Sequence, residues 1–303
     1  SKSDSPLECE ALLLKQFGWQ VSGDADVPVA ALERLALGKD CEGFWFRADP
    51  VNLQEDQNYL MMSYPSLLDL DQAEAMALAE SINRHFAEDG WSLYVDESQR
   101  WYLKLDQDPG IQTTPAWRVV GRDVFGLMPR GENSRQWHAW LMELQMLLFN
   151  HPVNESRIGQ GKAPVSGLWL WGGGELPLLD RNTLSSTVKL AGNSLFVQGL
   201  AKHSGCEITA LSADPQMLSS KAQTATEQLV VLEHARLALV SGDMEQGMAA
   251  LRRLEKEVFN PALSLLRSKK LQSLTIIDSP GQVVKVSAGG VRKWWRRNQP
   301  VLE

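Results

Sequence analysis

The stretch that decides the fold runs from His151 to Pro177, HPVNESRIGQGKAPVSGLWLWGGGELP. Upstream of it, Ser134 can cap a helix reaching Phe149, with Trp137, Trp140, Leu141, Leu144 and Leu148 recurring on one face. Within it, Leu168 to Trp171 is a short apolar run, read as a buried strand that ends in a tight loop at Gly172, Gly173 and Gly174. Strand and helix signals then alternate. Leu195 to His203 reads as a helix, Cys206 to Ala210 and Leu229 to Leu232 as strands, and Met244 to Val258 as a helix. Leu274 to Ile277 and Val283 to Val286 read as strands joined by the turn Asp278-Ser279-Pro280-Gly281. This alternation predicts an α/β fold with a mainly parallel sheet.

Toward the N-terminus the pattern changes. Ala11 to Phe17 and Val29 to Leu37 read as short helices closed by Gly18 and Gly38. Gly43 to Ala48 and Asn58 to Ser63 carry strand signals. Asp71 and Glu74 form a capping-box pattern, and Ala75, Leu78, Ala79, Ile82 and Phe86 continue on one helical face. Ser92 to Val95 and Arg100 to Leu105 read as strands across a polar turn, and Asp106 to Pro115 as a loop. The block predicts an inserted α+β domain over residues 41–130. The α/β core then comprises residues 1–40 and 131–303.

Composition bounds the function. Of 303 residues, 44% are hydrophobic, enough for a packed core. Thirty Lys and Arg against 37 Asp and Glu leave a net charge of −7, which argues against a nucleic-acid binder over the whole surface. Cys9, Cys41 and Cys206 are too scattered for a disulfide framework or a CxxC metal clip, so reduced thiols in a cytoplasmic protein are expected. No apolar run approaches the roughly 18 residues of a membrane span. Ser1-Lys2-Ser3-Asp4 shows neither a basic nor an apolar signal region, so no export signal is expected, and without an initiator Met a fragment or a processed form is expected.

Chemistry concentrates in the opening stretch. His151, Asn154 and Arg157 follow a helix and precede a strand and three glycines. Ligands of open α/β sheets bind beyond the carboxyl ends of strands. Gly172, Gly173 and Gly174 would let backbone N–H groups approach an anion, Arg157 would grip phosphate or carboxylate with its fork, and His151 would donate or shuttle a proton. The competing reading makes Pro152 and Asn154 turn formers, the glycines packing residues, and Trp169 and Trp171 core. Arg47 and Asp49, at the end of an aromatic strand, either face a cleft or form a structural ion pair. The tail Arg292-Lys293-Trp294-Trp295-Arg296-Arg297 either touches nucleic acid or anionic lipid, or packs its indoles with the charges solvated. No HExxH or GxSxG signature is present.

GFWFRADPVNL (residues 43–53), the helix DLDQAEAMALAESINRHFAEDG (69–90) and the His151–Pro177 stretch together resemble archaeal-type, cofactor-independent phosphoglycerate mutases. The segments Phe46–Val51, Arg100–Leu103, Gln145–Asn154 and Gly167–Pro177 are similar to the RpfE-type bacterial regulatory proteins, a divergent branch. The resemblance implies an alkaline-phosphatase-like core carrying the inserted α+β domain, its first metal-binding strand falling before Ser1. It implies a two-metal site and a phosphate-accepting nucleophile in the active family. Here the matching stretches read Leu232-Glu233-His234-Ala235 and Ile277-Asp278-Ser279-Pro280, so Asp278 is the one surviving metal-ligand candidate and no catalytic residue is assigned. The expectation is a degenerate mutase with a regulatory or binding role and no cofactor. It would keep a site for a small anion at Arg47, Asp49, His151, Asn154, Arg157 and Gly172–Gly174, or hold a protein partner. The alternative is an active, divalent-metal-dependent mutase or phosphotransferase.

Overall fold

The computed structural model describes residues 9–19, 26–56, 59–62, 68–119, 122–179, 188–211, 227–233, 244–278 and 282–291. In chain order its helices are α1 (Cys9–Gln16), α2 (Val29–Ala36), α3 (Gln72–His85), α4 (Ser134–Phe149), α5 (Pro152–Gly159), α6 (Leu195–Ser204), α7 (Met244–Leu254) and α8 (Asn260–Arg267). Its strands are β1 (Phe44–Val51), β2 (Leu53–Asp56), β3 (Tyr59–Met62), β4 (Ser92–Glu97), β5 (Arg100–Leu105), β6 (Ile111–Gln112) and β7 (Arg130–Gly131). They continue with β8 (Gly167–Gly174), β9 (Val188–Ala191), β10 (Glu207–Thr209), β11 (Glu227–Val230), β12 (Ser273–Ile277) and β13 (Val283–Ser287). The chain forms two compact units, one of residues 19–179 with 198–203, the other of residues 1–18, 180–197 and 204–303.

In the first of these units the sheet runs β4–β5–β1–β8, every pair antiparallel. Strand β1 is buried at every position but Arg47, as a strand covered on both faces must be. Its even positions, Phe44, Phe46 and Ala48, join Trp101, Leu103, Leu168 and Leu170 in a core with α3 and α4. Stacked and edge-on aromatics fill this core, with Trp91 lying 4.4 Å from Phe86 and 5.4 Å from Trp137. Trp45 on the opposite face packs with Tyr102 against Ala30 and Ala31 of α2. Helix α3 starts as its sequence dictates, since Asp71 and Glu74 close a full capping box.

The other unit holds a parallel sheet, β10–β9–β11, and a two-stranded antiparallel hairpin of β12 and β13. Helices α7 and α8 are joined by a single π turn over Glu255–Phe259. The described chain is mixed α/β. One expectation needs correction: the four-stranded sheet is antiparallel, so parallel pairing among the described strands is confined to β9–β11. Across the expected boundary at 130/131, β8 pairs with β1 from Trp45↔Gly174 to Val51↔Gly167.

Gly172 to Gly174 form the end of β8 and not a loop. Gly172 has φ +65, and a Cβ there would stand 2.9 Å from Cβ of Val29. A Cβ on Gly173 would fall 2.2 Å from the Phe46 ring. These glycines let α2 and an aromatic core residue close on the strand, which is the packing reading. The ends of the strand expected at 58 and 63, His234, and the tail 292–297 lie outside the described residues.

Candidate functional site

The HPVNESR motif is consumed by the fold. His151 caps α5: its Nδ1 accepts the Val153 N–H at 3.2 Å, and its Nε2 lies 2.9 Å from the Ser81 hydroxyl. With Nδ1 accepting, the ring hydrogen sits on Nε2 and donates to Ser81, so His151 is no general base toward that serine. Burial lowers its pKa. Asn154 is buried and donates to the carbonyls of Leu148 and Val165 while accepting the Val165 N–H. Arg157 is fully buried. Its Nε donates to the Ala163 carbonyl at 2.9 Å, one terminal nitrogen pairs with Glu74 at 2.6 Å, and the other donates to the Leu68 carbonyl. The same Glu74 oxygen accepts the Asp71 N–H of the capping box.

Arg47 stands on the other face of the sheet, toward α2. Its guanidinium meets Glu33 at 2.7 Å and Asp49 at 2.5 Å. Tyr102 donates its hydroxyl to Glu33 at 2.9 Å, and the Trp171 indole donates to the other Asp49 oxygen at 2.7 Å. Burial pulls on the Arg47 charge, but Asp49 and then Glu33 outweigh it and hold its pKa well above the ordinary value. Burial first, and Glu33 second, push the Tyr102 hydroxyl up. Arg47 with Asp49 is therefore the ion pair of the structural reading, completed by Glu33. Arg47 is thus held with Glu33 and Asp49, and Arg157 with Glu74, in two separate clusters. The residue types were read properly, but backbone carbonyls and carboxylates of the chain take the donors first.

Sequence reasoning missed Glu33, Tyr102, Asp26 and Thr113. Glu33 had a signal: it lies four residues after Val29 and three after Ala30, on the apolar face of α2. Asp26 accepts from the Thr113 N–H at 2.9 Å, from the Thr113 hydroxyl, and from the Gly173 N–H at 3.4 Å. Burial pushes its pKa from 3.8 up to about 6, against the pull of the Thr113 bonds. The folded state then holds this proton over a pH range where the unfolded chain has released it, so stability falls as pH rises from 3.8 through about 6. Asp26→Asn should flatten that slope, worth at most about 3 kcal/mol. Melting temperatures of both proteins across this range check it, and parallel curves would remove Asp26 as the cause.

Metal chemistry finds no cluster among the described residues, where no three His, Cys, Asp or Glu side chains gather to hold an ion. Asp278 is exposed, and its carboxylate accepts the Gln282 N–H at 2.7 Å, closing the β12–β13 hairpin. It follows an antiparallel hairpin strand and not a parallel one. A shallow apolar pocket lies between Leu53, Met128, Leu141, Leu168 and Leu170, apart from both arginine clusters. No described helix is long and apolar enough to cross a membrane.

No family model matches the chain. A probable 2,3-bisphosphoglycerate-independent phosphoglycerate mutase of Geobacter sulfurreducens is 23% identical over 251 residues, 78% of this chain and 62% of its own length. The 2,3-bisphosphoglycerate-independent phosphoglycerate mutase of Methanothrix thermoacetophila is 26% identical over 255 residues, 80% of this chain and 63% of its own. A solved cofactor-independent phosphoglycerate mutase from Thermoplasma acidophilum aligns at 16% identity and TM-score 0.38, over 82% of this chain and 71% of that one. The chain thus spans about three fifths of these two curated relatives, and it is similar to cofactor-independent phosphoglycerate mutases at low identity.

Proposed function

We propose that this chain is a degenerate, phosphoglycerate-mutase-like protein of the bacterial cytoplasm with a regulatory or binding role. Its alkaline-phosphatase-like core would be built around the parallel strands β9–β11. One observation carries the reading: both arginines of the mutase-like motifs are neutralised from within, Arg47 by Glu33 and Asp49, Arg157 by Glu74. A phosphate arriving at either would have to displace a carboxylate already bonded in a low-dielectric setting, which disfavours a small anion at these positions and leaves a protein partner, met on the exposed surface, as the reading kept. No cofactor or divalent metal enters this role. The RpfE-type likeness of the Gly167–Pro177 segment is the ground for a regulatory task.

The second reading, an active metal-dependent mutase, is favoured by the two named curated relatives over 78 and 80% of the chain. A coupled assay for interconversion of 3- and 2-phosphoglycerate with manganese, cobalt, zinc or magnesium separates the two. No turnover is expected. Robust turnover lost on chelation would establish the second reading instead.

A further inference from the structure

Helix α4 carries two seams. Trp137, Leu141, Leu144 and Leu148 are spaced 4, 3 and 4 residues apart and are buried against the sheet. On the opposite side, Arg135, Ala139, Met142, Met146 and Phe149 are spaced 4, 3, 4 and 3 apart, and all are exposed. Met142 is 65% exposed, Met146 70% and Phe149 79%. Single exposed apolar side chains need no explanation, but three large ones in one stripe with coiled-coil spacing mark a face built for another helix.

We propose that this outer face of α4 pairs with the same face of a second copy of the chain, the two helices running antiparallel about a two-fold axis. The occupant follows from the stripe's own asymmetry. Reversing the helix about a centre between Met142 and Met146 sets Met142 opposite Met146 and the small Ala139 opposite the large Phe149. Knobs of one copy thus meet holes of the other. The same reversal brings Arg135 to the C-terminal end of the second helix, where a cation is favoured and where Glu155 stands exposed in the first turn of α5. A parallel pair would stack Phe149 on Phe149 and Arg135 on Arg135. An anionic lipid surface is disfavoured, because Glu143 and Glu155 flank the stripe and Arg135 is its one cation. Sixteen residues make a helix of about 24 Å, a small interface, so the dimer should be weak and form on the order of 10 µM or above.

Sedimentation velocity of the whole chain over a concentration series tests this. The wild type should shift from monomer to dimer. The double variant M142E/M146E should weaken the dimer about 100-fold or more while circular dichroism and melting temperature stay unchanged, since both side chains are mostly solvated. R135E should weaken it about tenfold, and R135E/E155R should recover most of that loss. A wild type that stays monomeric overturns the proposal and leaves the stripe to a helix from another protein. A dimer indifferent to M142E/M146E overturns it too, and failure of the charge exchange to restore the dimer overturns the antiparallel register. Mutase activity of either outcome has no bearing on these readouts.

Discussion

Arg157→Ala should cost about 3–5 kcal/mol of folding stability, the range for removing one partner of a buried ion pair. The side chain is wholly buried and spans three segments: the loop at Ala163, the approach to α3 at Leu68 and Asp69, and Glu74 within α3. Deleting the guanidinium leaves three carbonyls without their donor and the Glu74 carboxylate, only 16% exposed, without its counter-charge. Against a typical total of about 5–15 kcal/mol, that is a large share. Arg157→Lys should recover only part, because one ammonium cannot reach carbonyls on two sides and Glu74 together. Urea titrations of the three proteins measure it. A loss below about 1 kcal/mol for the alanine variant, accompanied by weaker phosphate binding, would return Arg157 to the anion-binding role.

The particular residues explain what was legible. Asp71, Glu74 and the 75–86 face specify a helix by local spacing, and α3 forms there with its capping box intact. Helix α4 and the β4–β5 hairpin are local in the same sense. The glycines of β8 are not. Their partners, Val29, Phe46 and Pro28, lie more than 120 residues earlier, so a Gly run reads as a loop until the neighbours that forbid a Cβ are known. Strand direction escaped for the same reason: period and composition are alike for β8 parallel or antiparallel, and the pairing with β1 decides it. The HPVNESR motif suits two chemistries. An Arg, an Asn and a His that would bind an anion also suit five backbone carbonyls, a serine hydroxyl and a carboxylate, and burial tells these cases apart.

The Arg47 cluster should show what a broken buried ion pair costs. Two carboxylates share one guanidinium, with the side chains of Arg47, Glu33 and Asp49 only 11%, 12% and 7% exposed. Arg47→Met fills the space of the stem but leaves both carboxylates uncompensated beneath α2, and about 3–5 kcal/mol should be lost at pH 7. The penalty is that of burying two negative charges without their counter-charge. A triple variant, Arg47→Met with Glu33→Gln and Asp49→Asn, removes all three charges. It should regain most of the loss at pH 7, since a neutral cluster is cheaper to bury than a broken one. Tyr102 and Trp171 keep acceptors in the two new amides. Denaturation of wild type, Arg47→Met and the triple variant at pH 7 decides the matter. A triple variant no more stable than Arg47→Met would show that lost packing against Tyr102 and Trp171, each ring 5.4 Å from the guanidinium carbon, outweighs the charge.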